Sequence, residues 1–288
     1  MTKITDLLAS GPTLSFEFSA PRDDEGQSRL NHTLRRLASL GPSFMSVTYG
    51  AGGSTRGPTE QVVLHIQDDL GVTAMPHLTC VSHTQGEVVT LLNRYQDEGI
   101  DNLLALRGDL PADADELPNG HFELATDLVR VARAHGDFAI GVAAHPEMHP
   151  LAESKEADME HQAEKISVAD FAITQFFFKA AHYERFREEL AGRGILVPLI
   201  PGIMPPTNPE VISRMSAMNR TEVPREIHEQ LVVAGDDLDA RREIGVQTAT
   251  RLGEELLASG APGLHIYTLN FSQVATEVVK RLRLGKTV

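Results

Sequence analysis

The chain has 288 residues, 41% of them hydrophobic, enough for a substantial core in one large α/β barrel or two smaller domains. A net charge of −14 and a pI near 5.3 argue against a nucleic-acid or anionic-membrane binder, but leave room for anionic small ligands held by a few local amides or cations. A lone cysteine, Cys80, excludes an intrachain disulfide framework, no run of ~18 apolar residues is present to span a bilayer, and the polar start MTKITDLLASGP does not read as a signal peptide, so a cytoplasmic protein is expected.

Short apolar runs at 14–18, 44–49, 73–80, 102–106, 138–144, 171–177, 195–200 and 264–269 read as strands, each followed by turn residues and a segment of helical period. Leu30, Leu34 and Leu37 share one helical face, as do Val88, Leu91, Leu92 and Tyr95. Thr84-Gln85-Gly86-Glu87 is a capping-box pattern, and Asn208-Pro209 reads as an N-cap with proline at the first helical position. Apolar strands alternating with helices predict a parallel sheet buried on both faces. Eight such units, spaced by roughly 25–37 residues until a longer last interval, predict a single-domain (β/α)₈ TIM barrel over 1–288 with no separate regulatory domain. The surplus around 224–259 predicts extra helices inserted before the eighth strand. An open doubly wound sheet is the alternative architecture.

A barrel handles ligands at the C-terminal ends of its strands. The sequence places polar groups there after nearly every strand: Glu17; Thr48, Tyr49 and the run Gly50-Ala51-Gly52-Gly53-Ser54; His77 and Thr79; Arg107-Gly108-Asp109; His145, Glu147 and His149; Thr174 and Gln175; Tyr267, Thr268 and Asn270. An acid at the end of a buried strand is either solvated, hydrogen-bonded or used for chemistry, which makes Glu17 the first candidate and Asp109 the second. The glycine-rich run is either a strand-to-helix turn or a set of amides that meets a phosphate, and it lacks the spacing of a dinucleotide fingerprint. His145 and His149 are flanked by Pro146 and Pro150, which forbid the helix that would align two imidazoles on a metal, so no metal site is expected. Gln175 is an amide inside an apolar run, suited either to a satisfied core or to reading a ligand. These residues point to a small-molecule enzyme acting on an extended, partly anionic ligand.

The motifs FEFSAPR, SVTYGAGG, PHLTC, ALRGDLP, HPEMHP, EADMEHQAEK, AITQFFF, PLIPGIMP and GLHIYTLN resemble, in order, those of the methylenetetrahydrofolate reductase family. The resemblance implies a (β/α)₈ barrel that reduces 5,10-methylenetetrahydrofolate to 5-methyltetrahydrofolate with NADH or NADPH, feeding methionine synthesis. It implies that Glu17 is the general acid that opens the folate ring to a 5-iminium cation. Asp109 is implied as its electrostatic and pterin partner, and Gln175 as a pterin and nicotinamide contact. It places Thr48, Tyr49, Ala51, His77, Arg107, Gly108, His149, Asp158, His161 and Lys165 along an FAD site, with Lys165 suited to the diphosphate. Folate and a nicotinamide nucleotide are the partners expected.

The chain also departs from the family pattern. Ser19-Ala20 replaces a usual Phe-Pro pair, Leu124 and His145 stand where tyrosines are usual beside the flavin, and the segment from Lys165 to Gln175 is one residue shorter. Met215 replaces a stacking Phe found in some relatives, and Phe271 stands where an arginine is commonly available to the folate. Two hydride routes therefore stand side by side, one through FAD and one directly from NAD(P)H. A catalytically silent folate- or nucleotide-binding paralogue, or another flavin-dependent barrel oxidoreductase, is the alternative reading.

Overall fold

The computed structural model describes residues 2–50, 56–81, 83–108, 122 and 124–285. Among the described residues nine strands lie parallel: β1 (Thr13–Ser19), β2 (Phe44–Thr48), β3 (Thr73–Thr79), β4 (Asn102–Leu106), β5 (Ala139–Ala144), β6 (Phe171–Thr174), β7 (Leu199–Ile200), β8 (Gly202–Ile203) and β9 (Gly263–Tyr267). Their order in the sheet is β7-β6-β5-β4-β3-β2-β1-β9-β8. Only Pro201 separates β7 from β8 in the chain, so the two ends of that order meet and the ring closes as eight staves, the TIM-barrel architecture expected.

The helices are α1 (Ile4–Ser10), α2 (Asp24–Ala38), α3 (Arg56–Leu64), α4 (Gln85–Asp97), α5 (Ala125–His135), α6 (Lys155–Ser167), α7 (Ala180–Gly192), α8 (Pro209–Asn219), α9 (Arg225–Val233), α10 (Leu238–Ala258) and α11 (Ser272–Leu282). A π-helical turn, His65–Asp69, continues α3. The cap of α4 forms as read, with Glu87 N donating to Thr84 Oγ1 and Thr84 N to the Glu87 carboxylate. The cap of α8 also forms, Asn208 Oδ1 accepting from the amides of Glu210 and Val211. The expected insertion is α9 and α10, and α8 joins them, so three helices separate β8 from β9.

Strand alternation sorts the core into two parts. On β1, Leu14, Phe16 and Phe18 face outward and join one apolar cluster with Leu30, Leu34 and Leu37 of α2 and Val88, Leu91 and Leu92 of α4. The opposite parity faces the barrel axis. There Phe44, Met75, Leu104, Ala139, Phe171, Ile173 and Ile200 fill the interior, and Ile4 of α1 packs among them. The first turn of α1 is tied to this end by the Ile4 amide, which donates to Asn102 Oδ1 at 2.7 Å. The lower barrel is thus apolar and stoppered by α1, an element the strand-and-helix reading did not anticipate. Higher up, the inward positions become polar: Glu17, His77, Gln175, His265 and Tyr267.

Two strands differ most from expectation, and the eighth ends at Tyr267 instead of 269. The sixth stops at Thr174 instead of running to 177, because Gln175 leaves the sheet after its amide bonds Ala144 O (2.7 Å) and its side chain turns back on the Phe176 amide. The seventh lies at 199–203 instead of 195–200, with Leu196 82% exposed. Pro201 has no N–H for the ladder and splits the strand. Its carbonyl accepts from His265 N (3.0 Å), and the next amide, Gly202 N, donates sideways to Thr174 Oγ1 (2.8 Å).

Candidate active site

At the polar end of the barrel, β1 and β9 run side by side with Glu17 opposite Tyr267 and Ser15 opposite His265. Four inward side chains therefore stack in two adjacent rows. Glu17 Oε2 lies 3.3 Å from His265 Nε2 and 3.4 Å from His77 Nε2, and the Glu17 side chain keeps 16% of its surface exposed. His265 is fully buried; its Nδ1 lies 2.8 Å from Ser15 Oγ, and Ser15 Oγ donates to Leu264 O (3.2 Å).

Ser15 Oγ has one hydrogen and two neighbours that can take it, Leu264 O and His265 Nδ1, so the imidazole can carry its own hydrogen on either nitrogen. Its Nε2 faces Glu17 Oε2, in reach for a proton to pass between the ring and the acid. His77 is held neutral, because burial pushes its pKa down more than Glu17 raises it, with His265 adding to the depression. Tyr267 stays a neutral phenol, raised well above its ordinary value by burial and by the charge of Glu17.

Tyr267 forms one wall of the site. Its hydroxyl donates to Thr174 O at 2.8 Å, and its ring meets His265 edge-on at 5.3 Å. Room for this ring comes from Gly202, where a Cβ would sit 2.5 Å from Tyr267 Cε2 and 2.3 Å from Thr174 O. The turn after β9 clamps the end of β1. Thr268 Oγ1 donates to Glu17 O (2.6 Å), while the Asn270 amide accepts from Ser19 N and donates to Ser19 O, both at 2.9 Å. Leu269 and Asn270 take left-handed φ of 48° and 63° to do so. A cleft of ≈ 200 Å³ opens above, lined by Glu17, Gln175, Met215, Asn219, Tyr267 and Leu269 among others.

A second polar group lies at the end of β5 and on α6. Gln162 clamps the strand end, its Oε1 accepting from His145 N (2.5 Å) and its Nε2 donating to His145 O (2.9 Å) and to Asp158 Oδ2 (2.8 Å). Asp158 also accepts from His149 N (3.1 Å). His145 has its pKa lowered to about 3 by burial, then by Lys165 and His149, and among the described residues its buried Nδ1 has no hydrogen-bond partner. Burial lowers Lys165 to about 8, against the opposing pull of Asp158. An unsatisfied buried imidazole nitrogen beside a cation suits a ligand that brings a polar edge and negative charge, such as the diphosphate of a dinucleotide.

The family profile for methylenetetrahydrofolate reductase matches residues 3–283. The chain is 37% identical over 271 residues to 5,10-methylenetetrahydrofolate reductase of Escherichia coli (strain K12), covering 93% of this chain and 90% of that one. The chain belongs to the methylenetetrahydrofolate reductase family. It is also 35% identical over 297 residues to methylenetetrahydrofolate reductase (NADH) 1 of Arabidopsis thaliana, covering 98% of this chain but 50% of that longer protein. In fold it is similar to a Clostridium thermocellum protein that binds two copies of 5-methyl-5,6,7,8-tetrahydrofolic acid, with TM-score 0.68, 14% identity and 97% of each chain covered.

Against the positions this family implies, the structure brings Glu17, His77 and Gln175 to one mouth, and Asp158, Lys165 and His149 to the neighbouring rim. Asp109 and Ala51 lie outside the described residues. Thr48 ends β2, and its carbonyl accepts from Thr59 Oγ1 (3.1 Å). Tyr49 is buried, its hydroxyl 2.9 Å from His83 Nε2. The Arg107 carbonyl accepts from Val81 N (2.9 Å) and Cys80 Sγ (3.2 Å). Gly108 takes φ +83°, and a Cβ there would come within 2.8 Å of Thr79 Cβ, so local geometry alone demands glycine. His161 is exposed on α6. His145 and His149 meet edge to face at 4.6 Å.

Sequence reading missed Ser15, His265, Gln162 and Asn219. The first two share the inward parity of Glu17 and Tyr267 on apolar strands, a signal that period-2 counting could have used. Gln162 stands four residues after Asp158 on the same helical face. A further cluster, Glu147, His182 and Glu222, brings its ligand atoms within 4.8 Å of one another. There the His182 ring lies with Nδ1 3.2 Å from Glu147 and Nε2 3.7 Å from Glu222.

Proposed function

We propose that the chain reduces 5,10-methylenetetrahydrofolate to 5-methyltetrahydrofolate with a reduced nicotinamide nucleotide. Membership of the family supports the reaction class. The observation that supports the assignment to this site is the contact of Glu17 Oε2 with the buried His265 Nε2 (3.3 Å) beside the cleft.

Glu17 is the general acid. A proton passes from its carboxyl to N10 of the folate, the bond from N10 to the bridging carbon breaks, and the carbon is left as a 5-iminium cation. Hydride addition to that carbon yields the methyl group. The Glu17 carboxylate formed in the first step accepts a hydrogen bond from His265 when the ring carries its hydrogen on Nε2, and it faces the cation it has released. Ser15 Oγ can donate to Nδ1 or accept from it, so the ring can take either tautomer as the proton leaves Glu17 and returns. Gln175 reads the pterin. Asp109 is the second acid of the proposal, on the strength of the ALRGD motif.

Lys165, with His145 and the segment ending at His149, holds a dinucleotide by its diphosphate. FAD, when bound, supplies a two-electron carrier between nicotinamide and folate. The residues present satisfy the diphosphate requirement, which FAD and NAD(P)H share, but Leu124 is 54% exposed and offers no aromatic edge to an isoalloxazine ring. That observation favours a second reading, direct hydride delivery from the nicotinamide. Anaerobic incubation of purified protein with methylenetetrahydrofolate and NADH or NADPH tests the reaction: 5-methyltetrahydrofolate forms in step with nicotinamide oxidation, and its absence with both nucleotides contradicts the proposal. The visible spectrum of the same sample separates the hydride routes. A stoichiometric yellow chromophore supports the flavin route, and full turnover without one supports direct transfer.

A further inference from the structure

Gln175 lines the cleft, and its amide is anchored at both ends. Its Oε1 accepts from Phe176 N (3.0 Å), and its Nε2 donates to Asn219 Oδ1 (2.9 Å). The first anchor is a backbone N–H, which can only donate, so that end must be oxygen. Asn219 is fixed in the same way, because its Nδ2 donates to the Met215 carbonyl (2.9 Å), which can only accept. Two backbone groups, one on each side, therefore remove the ambiguity that usually attends two facing amides. Turning either one over would set donor against donor or acceptor against acceptor.

Asn219 is itself held in place. It is the last residue of α8, in the helical insertion before β9, and the residues that follow tie that helix end to the barrel loops. Arg220 Nη1 donates to Ala152 O (3.2 Å), Thr221 Oγ1 to Phe176 O (3.3 Å), and Glu222 N to the Glu147 carboxylate (2.9 Å). Four consecutive residues, 219–222, thus each bond a segment that follows β5 or β6.

From this we infer that Asn219 is a positioning residue that sets the orientation of the Gln175 amide for substrate, an inference that rests on the folate reading above. With one Nε2 hydrogen committed to Asn219 and one Oε1 lone pair to Phe176, Gln175 offers the cleft one donor and one acceptor in fixed order. A cyclic amide edge, such as the N3–H and C4=O of a pterin, is the complement of that pair. Held by the Phe176 amide alone, Gln175 would swing about that one bond, and a ligand edge would meet a well-aimed pair only part of the time.

A double-mutant cycle on kcat/KM for methylenetetrahydrofolate tests this, using Asn219→Leu, Gln175→Ala and the double variant. Asn219→Leu removes the anchor at similar size and is expected to lose about tenfold, close to 1.4 kcal/mol. In the Gln175→Ala background the same change is expected to cost less than twofold, since no amide remains to orient. Asn219→Asp keeps an acceptor for Gln175 Nε2 and is expected to lose less than Asn219→Leu; it also serves if the leucine variant does not fold. An equal loss from Asn219→Leu in both backgrounds, or an aspartate variant as poor as the leucine one, overturns the inference and leaves Asn219 a packing residue. If wild-type protein turns over no folate, the functional reading falls and takes this inference with it; if wild type is active and the cycle shows no coupling, only the inference falls.

Discussion

Around Glu17 the neighbours that matter are two imidazoles of unlike character, His265 tied to a serine and His77 kept neutral by burial. Exchanging His265 for Phe keeps the ring's bulk and its stacking on Phe44, but takes away the proton's second seat. Folate turnover by His265→Phe is expected to fall about tenfold to a hundredfold, with the alkaline limb displaced in a pH–kcat/KM profile; an unchanged profile would show that Glu17 works alone.

Titration of the neighbouring rim carries its own predictions. Lys165 loses its proton near pH 8, so it is a cation below that and neutral above. Dinucleotide affinity should therefore weaken as pH rises from 7 to 9, and Lys165→Met should flatten the dependence while costing about 2 kcal/mol of binding at pH 7. Equilibrium titration with NADH across that range checks both. His145, lowered to about 3 when folded, takes up a proton near 6.5 when unfolded. Between those values the unfolded chain binds more protons, so stability falls as pH drops through the window, by about 1 kcal/mol per pH unit. Denaturant unfolding at pH 7, 6 and 5 reads this slope, and His145→Gln should reduce it.

Among the elements, α1 and the β7–β8 break show how the site is held. Ile4 sits under Phe44 and Phe171, sealing the apolar floor on which the polar layer rests. Ile4→Ala should cost about 2–4 kcal/mol of unfolding free energy by opening a cavity there, with kcat little changed. The break at Pro201 has the opposite emphasis. Gly202 stands beside Tyr267, so Gly202→Ala should push that ring toward Glu17 and lower turnover more than stability; a melting curve beside a rate measurement distinguishes the two.

The same elements explain what could be read from the chain alone. Eight strands were legible because a parallel barrel writes each one as an apolar run closed by turn residues, and the caps at Thr84 and Asn208 were legible because they are local. The seventh strand was misplaced because 195–200 and 199–203 are equally apolar, and only the ladder to β6 and β9 selects the latter. Helix α1 is short, and its single buried anchor, Ile4, gives no periodicity to find. Glu17 and Gln175 were legible as polar residues inside apolar runs. Their partners His265 and Asn219 stand 248 and 44 residues away, and no local pattern records a contact over such separations.

For the molecule as a whole, the barrel separates two duties along its axis. The end stoppered by α1 is apolar and gives stability, while the opposite end gathers groups from β1, β3, β6 and β9 and from the inserted α8. A net charge of −14 would repel an anionic folate or dinucleotide at long range, so the proposed binding calls for local features such as Lys165 and the oriented amides. All of this converges on the acid at the end of β1. Steady-state NAD(P)H oxidation with methylenetetrahydrofolate, measured for wild type and Glu17→Gln at equal thermal stability, tests it most directly. The glutamine keeps the shape and cannot give up a proton; turnover should fall about 10²- to 10⁴-fold with the fold intact. A Glu17→Gln protein that reduces the folate at the wild-type rate would contradict the account.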